Sequence, residues 1–174
     1  MNEKLMRPTG SQAVRSLFLV LLVLFCGPSI AFAEVEQDQA APDQSGTEFC
    51  FEQAAQIHGV NPQVLRAIGM VESSLRPGVV TVNKNATNDF GVMGVNSVHL
   101  ERLAKFGIDR QELLRPCSNV LVGAWLLRQR IEEYGNTWFA IGAYHSNTPS
   151  KNRIYQLRVF NKLQIVMNEM QRQK

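Results

Sequence analysis

The amino-acid sequence predicts a compact, mostly α-helical domain with one short irregular or β-hairpin insertion. Apolar residues recur at three- and four-residue intervals through most of the chain beyond residue 47. Asn-Pro, Pro-Gly and single glycines stand at the ends of the segments so marked. The stretch without this spacing, residues 78–95, is too short to build a sheet of any size. With 174 residues, 45% hydrophobic and 19% charged, the composition is that of one ordinary globular domain, which excludes disordered and low-complexity classes.

At the N-terminus, Lys4, Arg7 and Arg15 against Glu3 precede the apolar run Leu17–Phe25. That run is shorter than the roughly 20 residues a membrane-spanning helix needs. With Ala31-Phe32-Ala33 behind it, the segment has the three parts of a secretory signal peptide, residues 1–33, cleaved after Ala33 so that no transmembrane anchor remains. An uncleaved anchor is the alternative; lipidation of Cys26 is disfavoured by the bulk of Phe25. Cleavage removes two of the three net positive charges, and no nucleic-acid partner is suggested. It also removes Cys26, leaving Cys50 and Cys117 as an even pair in an oxidising compartment. Such a pair reads as a disulfide, with two buried free thiols as the alternative.

Residues 34–46 are acidic, Gln-rich and almost free of large apolar groups, so they read as a flexible leader before a folded domain over 47–174. Ser45-Gly46-Thr47-Glu48 has the spacing of a capping box, and Phe49, Cys50, Ala54 and Ile57 continue a first helix up to Gly59. Asn61-Pro62 starts a second, striped by Val64, Leu65, Ile68 and Val71 before Pro77-Gly78. Val79–Val82 followed by Asn and Gly fits the hairpin or irregular loop. Helical spacing returns from Val98 to Phe106, closed by Gly107, then after Ser118 with Val120, Ala124, Leu127, Ile131 and Tyr134 on one face. Trp138–Tyr144 follows, and Ile154, Leu157, Leu163, Val166 and Met170 stripe a last helix. Residues 149–174 carry six cations against Glu169, either a solvated face or a surface for an anionic polymer.

His58, His99 and His145 lack metal-ligand spacing, no Ser or Cys stands in a nucleophile motif, and Gly91–Val95 has neither the length nor the lysine of a phosphate loop. No metal or cofactor is expected. Glu72 stands out. It follows Ile68 by four residues and Leu65 by seven, so its carboxyl shares the apolar face of the second helix. A carboxyl desolvated by apolar neighbours keeps its proton, which suits a general acid near neutral pH. A surface residue at a frayed helix end is the alternative.

Four motifs in order carry a resemblance: Ala67-Ile68-Gly69-Met70-Val71-Glu72-Ser73-Ser74, Asp89-Phe90-Gly91-Val92-Met93-Gly94-Val95-Asn96, Pro116-Cys117-Ser118-Asn119 with Gly123-Ala124-Trp125, and Ala143-Tyr144-His145-Ser146-Asn147. From about Phe49 to Tyr155 the chain resembles the lytic transglycosylases of the soluble, goose-lysozyme-like type. It is especially similar to the small accessory enzymes of conjugation, type III secretion and type IV pilus systems. The resemblance implies a lysozyme-like fold, a periplasmic location, peptidoglycan glycan strands as substrate and components of a pilus or secretion assembly as partners. The cysteine pair also matches this subgroup.

Carried over residue by residue, the resemblance makes Glu72 the catalytic acid. It protonates the oxygen between N-acetylmuramic acid and N-acetylglucosamine, then takes the proton of the muramic 6-hydroxyl as that oxygen attacks C1. An intramolecular attack yields a 1,6-anhydro end and requires no second carboxylate, so Asp89 is given a structural role in a turn or loop hydrogen bond. Ser73, Gly91, Val92, Met93, Tyr144, His145 and Tyr155 are implied substrate contacts, with Val92 and Met93 as an apolar floor. Ser73 as a helix-end cap and Tyr155 as a core aromatic are the alternatives. The chain departs from the family at Gly94 (usually Gln), His145 (usually Asn) and Asn147 (usually Gly). Those departures keep two other readings open: a weakly active or inactive peptidoglycan-binding scaffold, and a hydrolytic muramidase.

Overall fold

The computed structural model describes residues 44–173; the expected signal peptide, its cleavage site and residues 34–43 of the expected leader lie outside them. Helix α1 spans Gln44–His58 and stops at Gly59, whose φ of +62° is the left-handed turn that glycine adopts without strain. Gln44–Gly46, assigned to the leader from composition, are therefore the first residues of α1. The Asn61 side chain accepts the Val64 amide at 3.0 Å, with Pro62 in the first turn, and so starts α2, Pro62–Glu72. Residues 78–95 contain three short antiparallel strands: β1 (Val80–Val82), β2 (Asn88–Phe90) and β3 (Val95–Asn96). Val80 pairs with Phe90, and Asp89 with Asn96.

The segment expected as a helix from Val98 is a 3₁₀ turn, Ser97–His99, running into a short α3, Leu100–Ala104; Gly107 closes it in the left-handed region. Helix α4 spans Pro116–Tyr134, beginning two residues before Ser118 because Pro116 serves as its first residue. Helix α5, Trp138–Ala143, is capped by the Thr137 hydroxyl at the Ala140 amide, and α6 runs from Pro149 to Arg172. The result is the mostly helical domain with a hairpin insertion that the sequence predicts.

Helix α2 packs along α6, α1 along α4, and α5 between α4 and α6. Their shared core holds Phe51, Leu65, Ile68, Val120, Leu127 and Val159, and it is completed from the insertion by Phe90, Val92 and Met93. On α4 the expected face is observed: Val120, Ala124 and Leu127 are buried, and Ile131 and Tyr134 are half-buried.

On α6 the expected stripe holds in the C-terminal half, where Val166 is buried and Leu163 packs on the core, and fails in the first turns. Ile154 and Leu157 are 54% and 58% exposed, and the buried face is Asn152, Tyr155, Val159 and Val166. Helical spacing fits both faces, and a polar residue decides between them. Asn152 is buried with its amide donating to Phe139 O at 3.1 Å and Ser146 O at 3.0 Å, which ties α6 to the end of α5.

Cys50 of α1 and Cys117 of α4 form the expected disulfide, Cα to Cα 5.1 Å, closing a loop of 67 residues. In the chain-entropy account a loop of this length is worth about 4 kcal/mol, and removal of a native bridge costs about 2–5 kcal/mol. Reductant is therefore expected to lower the melting temperature followed by circular dichroism while the helical signal survives in the cold; an unchanged melting temperature would refute that contribution.

Candidate active site

Glu72 is the last residue of α2, where the helix presents its negative end and buried apolar neighbours exclude water. Its carboxyl is raised from 4.5 to about 7, first by burial and further by the nearby charge of Asp89; a hydrogen bond from Tyr155 and the charge of Arg158 oppose the rise. Tyr155 Oη donates to Glu72 Oε1 at 2.5 Å from α6. Oε2 lies against the backbone of Gly94, so close that a Cβ there would stand 2.7 Å from it. Gly94 also has φ +57°. The glycine that replaces the family's usual glutamine thus makes room for the carboxyl.

The turn Gly91–Gly94, closed by the Gly94 amide on Gly91 O at 3.2 Å, is held from three sides. The buried Asn119 carboxamide of α4 accepts the Met93 amide at 2.7 Å and donates to Phe90 O and Leu113 O, each at 2.8 Å. Gly91, at φ +68°, is required here because a Cβ would come 2.5 Å from Asn119 Nδ2. Ser73 donates to Val92 O at 2.9 Å, and Tyr144 Oη to Met93 O at 2.8 Å.

These bonds correct several expected substrate contacts. Ser73 is only 4% exposed and its hydroxyl is engaged within the protein, as the helix-end alternative has it. Gly91, Val92 and Met93 are buried, so the side chains of Val92 and Met93 are core packing beneath the turn and not a floor open to sugars. Their work is to seat the turn against Glu72.

The groove itself, about 600 Å³, is lined by Glu72, Gly94, Tyr144, His145 and Lys151 on one side and by the hairpin on the other. The hairpin contributes Asn83, Asp89 and Asn96. Asp89 accepts Asn83 Nδ2 at 2.8 Å on one oxygen and Asn96 Nδ2 at 2.6 Å on the other, the loop-bonding role expected of it. Tyr144, buried and facing the charges of Glu72 and Asp89, is held well above the ordinary phenol range. Tyr155 is held up by the same causes, burial first and Glu72 next. His145 stacks on Tyr155 with centroids 4.9 Å apart, and burial, then Arg158, lower its pKa. It is therefore a neutral imidazole at neutral pH.

Sequence reasoning thus placed Glu72, Tyr144, His145 and Tyr155 together, and it missed Asn83, Asn96, Lys151 and Asn119 as site residues. The Asn-rich run 83–88 had been a turn signal only, and Asn119 stood within a quoted motif without a role. The arrangement can hold one carboxyl protonated beside a polar groove while keeping the other acid hydrogen-bonded and ready to favour that proton.

The transglycosylase SLT domain model matches residues 49–162. The invasion protein IagB of Salmonella typhimurium is 36% identical over 115 residues, which are 66% of this chain and 72% of that protein. Protein IpgF of Shigella flexneri is 32% identical over 114 residues, 65% of this chain and 75% of its own. A peptidoglycan-binding-like protein of Escherichia coli O157:H7 is 31% identical over 136 residues, 72% of this chain and 81% of its own.

A carboxyl whose folded pKa stands above its unfolded value binds more protons folded than unfolded, so its stabilising contribution is complete below about 4.5 and is lost as pH rises through about 7. Glu72→Gln has no such titration. The stability of this variant relative to the parent is expected to climb across that window by up to about 3 kcal/mol and then level off. Urea unfolding of both proteins from pH 4 to 8 measures it; parallel profiles would return the carboxyl to its ordinary pKa.

Proposed function

The chain belongs to the SLT transglycosylase family and is a peptidoglycan lytic transglycosylase, and on that premise we propose that Glu72 is its single catalytic acid and base, cutting the MurNAc-GlcNAc β-1,4 bond with formation of a 1,6-anhydromuramic end. The observation that carries this reading is the carboxyl raised to about 7 at the wall of a polar groove, with one oxygen held by Tyr155 and the other beside Gly94. Protonated, it gives its proton to the glycosidic oxygen as the bond to C1 breaks. As carboxylate, it takes the proton from the muramic 6-hydroxyl while that oxygen closes on C1. The proton count balances within one active site, and no water enters the reaction. Both oxygens of Asp89 are engaged with asparagine amides, which supports an intramolecular nucleophile over a second carboxylate.

Tyr144, His145 and Tyr155 are proposed as the groove's aromatic wall. Tyr155 orients the acid, while His145 offers a neutral ring nitrogen to a sugar hydroxyl. Among the described residues no helix is long and apolar enough to cross a membrane. The signal-like N-terminus supports export to the periplasm. There the enzyme would open the wall locally for a secretion, pilus or conjugation assembly, a role favoured by the similarity to an invasion protein.

Mass spectrometry of soluble fragments released from purified peptidoglycan tests the reaction. Anhydromuramic fragments that vanish with Glu72→Gln are expected. Reducing-end products would instead indicate a hydrolytic muramidase, and wall binding without fragments a binding scaffold. Restoring the family's glutamine at Gly94 is expected to slow release on the order of ten- to a hundredfold, because the new side chain displaces the Glu72 carboxyl. Faster release by Gly94→Gln would refute the steric account.

A further inference from the structure

A second depression adjoins the groove. About 280 Å³ in volume, it is lined by His145, Lys151, Ile154, Tyr155 and Arg158. His145 and Lys151 line both cavities, so the two are neighbours, and Tyr155, which lines the second, holds Glu72 by its hydroxyl. Two cations face this space. Among the described residues, neither Lys151 nor Arg158 is in a hydrogen bond or ion pair, in contrast to Arg66, Arg115, Arg128 and Arg130, which pair with glutamates. Beside them Ile154 is 54% exposed, a large apolar side chain that the α6 core face does not use. Unpaired cations next to an open apolar side chain, in a concavity, match a ligand that carries carboxylates on a short aliphatic framework.

Resting on the reading of Glu72 as the acid of the groove, we propose that Lys151, Ile154 and Arg158 form a subsite for the carboxylate-bearing peptide that substitutes the muramic acid lactyl group, making peptide-bearing strands the preferred substrate. Arg158 offers a planar fork to one peptide carboxylate, and Lys151 offers a mobile ammonium to another. Ile154 covers the alanyl methyl groups. A lactyl carboxylate alone, as in strands stripped of peptide, is too small to engage both cations and the isoleucine.

The test compares kcat/KM on purified peptide-bearing strands with that on the same strands after an amidase has removed the peptides. It is run with the parent protein and with Lys151→Gln/Arg158→Gln. The parent is expected to favour peptide-bearing strands by about tenfold or more, and the double variant to bring the ratio close to one, chiefly through KM. Taking the ratio within each protein cancels any change in Glu72 caused by losing the Arg158 charge. A parent ratio near one, or a ratio that survives in the variant, overturns the subsite.

Calorimetric binding of a soluble disaccharide-tetrapeptide and of the peptide-free disaccharide, with Glu72→Gln as the host, separates this inference from the functional reading. Tighter binding of the peptide form, abolished when both cations are replaced, supports the subsite even if the parent releases no fragments. Equal binding of the two sugars refutes it even if fragments are released.

Discussion

The turn between β2 and β3 is anchored to the helices around it by side chains. Phe90 O and the Met93 amide bond to Asn119, Val92 O to Ser73, and Met93 O to Tyr144. These partners come from the start of α4, the end of α2 and the end of α5. A turn whose polar groups are buried must have each of them satisfied, and the protein does so with side chains from three separate elements in addition to the flanking strand pairing. The placement of Gly94, and through it the wall of the groove against Glu72, depends on that arrangement. Losing the Asn119 carboxamide would remove three buried hydrogen bonds at once, each worth about 0.5–1.5 kcal/mol.

Around this anchor the chemistry follows from competing electrostatic effects. Burial and the charge of Asp89 press the Glu72 proton on, while the Tyr155 hydroxyl and the charge of Arg158 pull toward the anion. Desolvation wins, leaving the carboxyl near the midpoint at neutral pH, where one group can both give and take a proton. The close approach that desolvates Glu72 requires the absence of a side chain at position 94. Gly94 had argued for lost function as a departure from the family pattern; in three dimensions it is part of how the acid is seated.

The same geometry reassigns the motif residues by role. Ser73, Gly91, Val92 and Met93 stand nearest the acid in sequence or motif, yet they face inward and work through the backbone of the turn. The surfaces left open to a polymer belong to the hairpin asparagines and to the first turns of α6, where cations and an exposed isoleucine stand beside the Tyr155 wall.

The sequence by itself determined the helix order, the Asn61-Pro62 start of α2, the short non-helical insertion at 78–95, the cysteine pair and the carboxyl at the end of an apolar helix face. These depend on local spacing, caps and composition, which act within a few residues of one another. Only the tertiary structure decided which of the motif residues face the groove, why α6 buries Asn152 and Tyr155 and leaves Ile154 and Leu157 outside, and that Lys151 lines the same groove as Glu72. A helical repeat of 3.6 residues is satisfied by overlapping faces, and the choice between them is made by partners from other elements. Here those partners are the carbonyls of Phe139 and Ser146, which accept from the Asn152 amide, and the Glu72 carboxyl, which accepts from Tyr155.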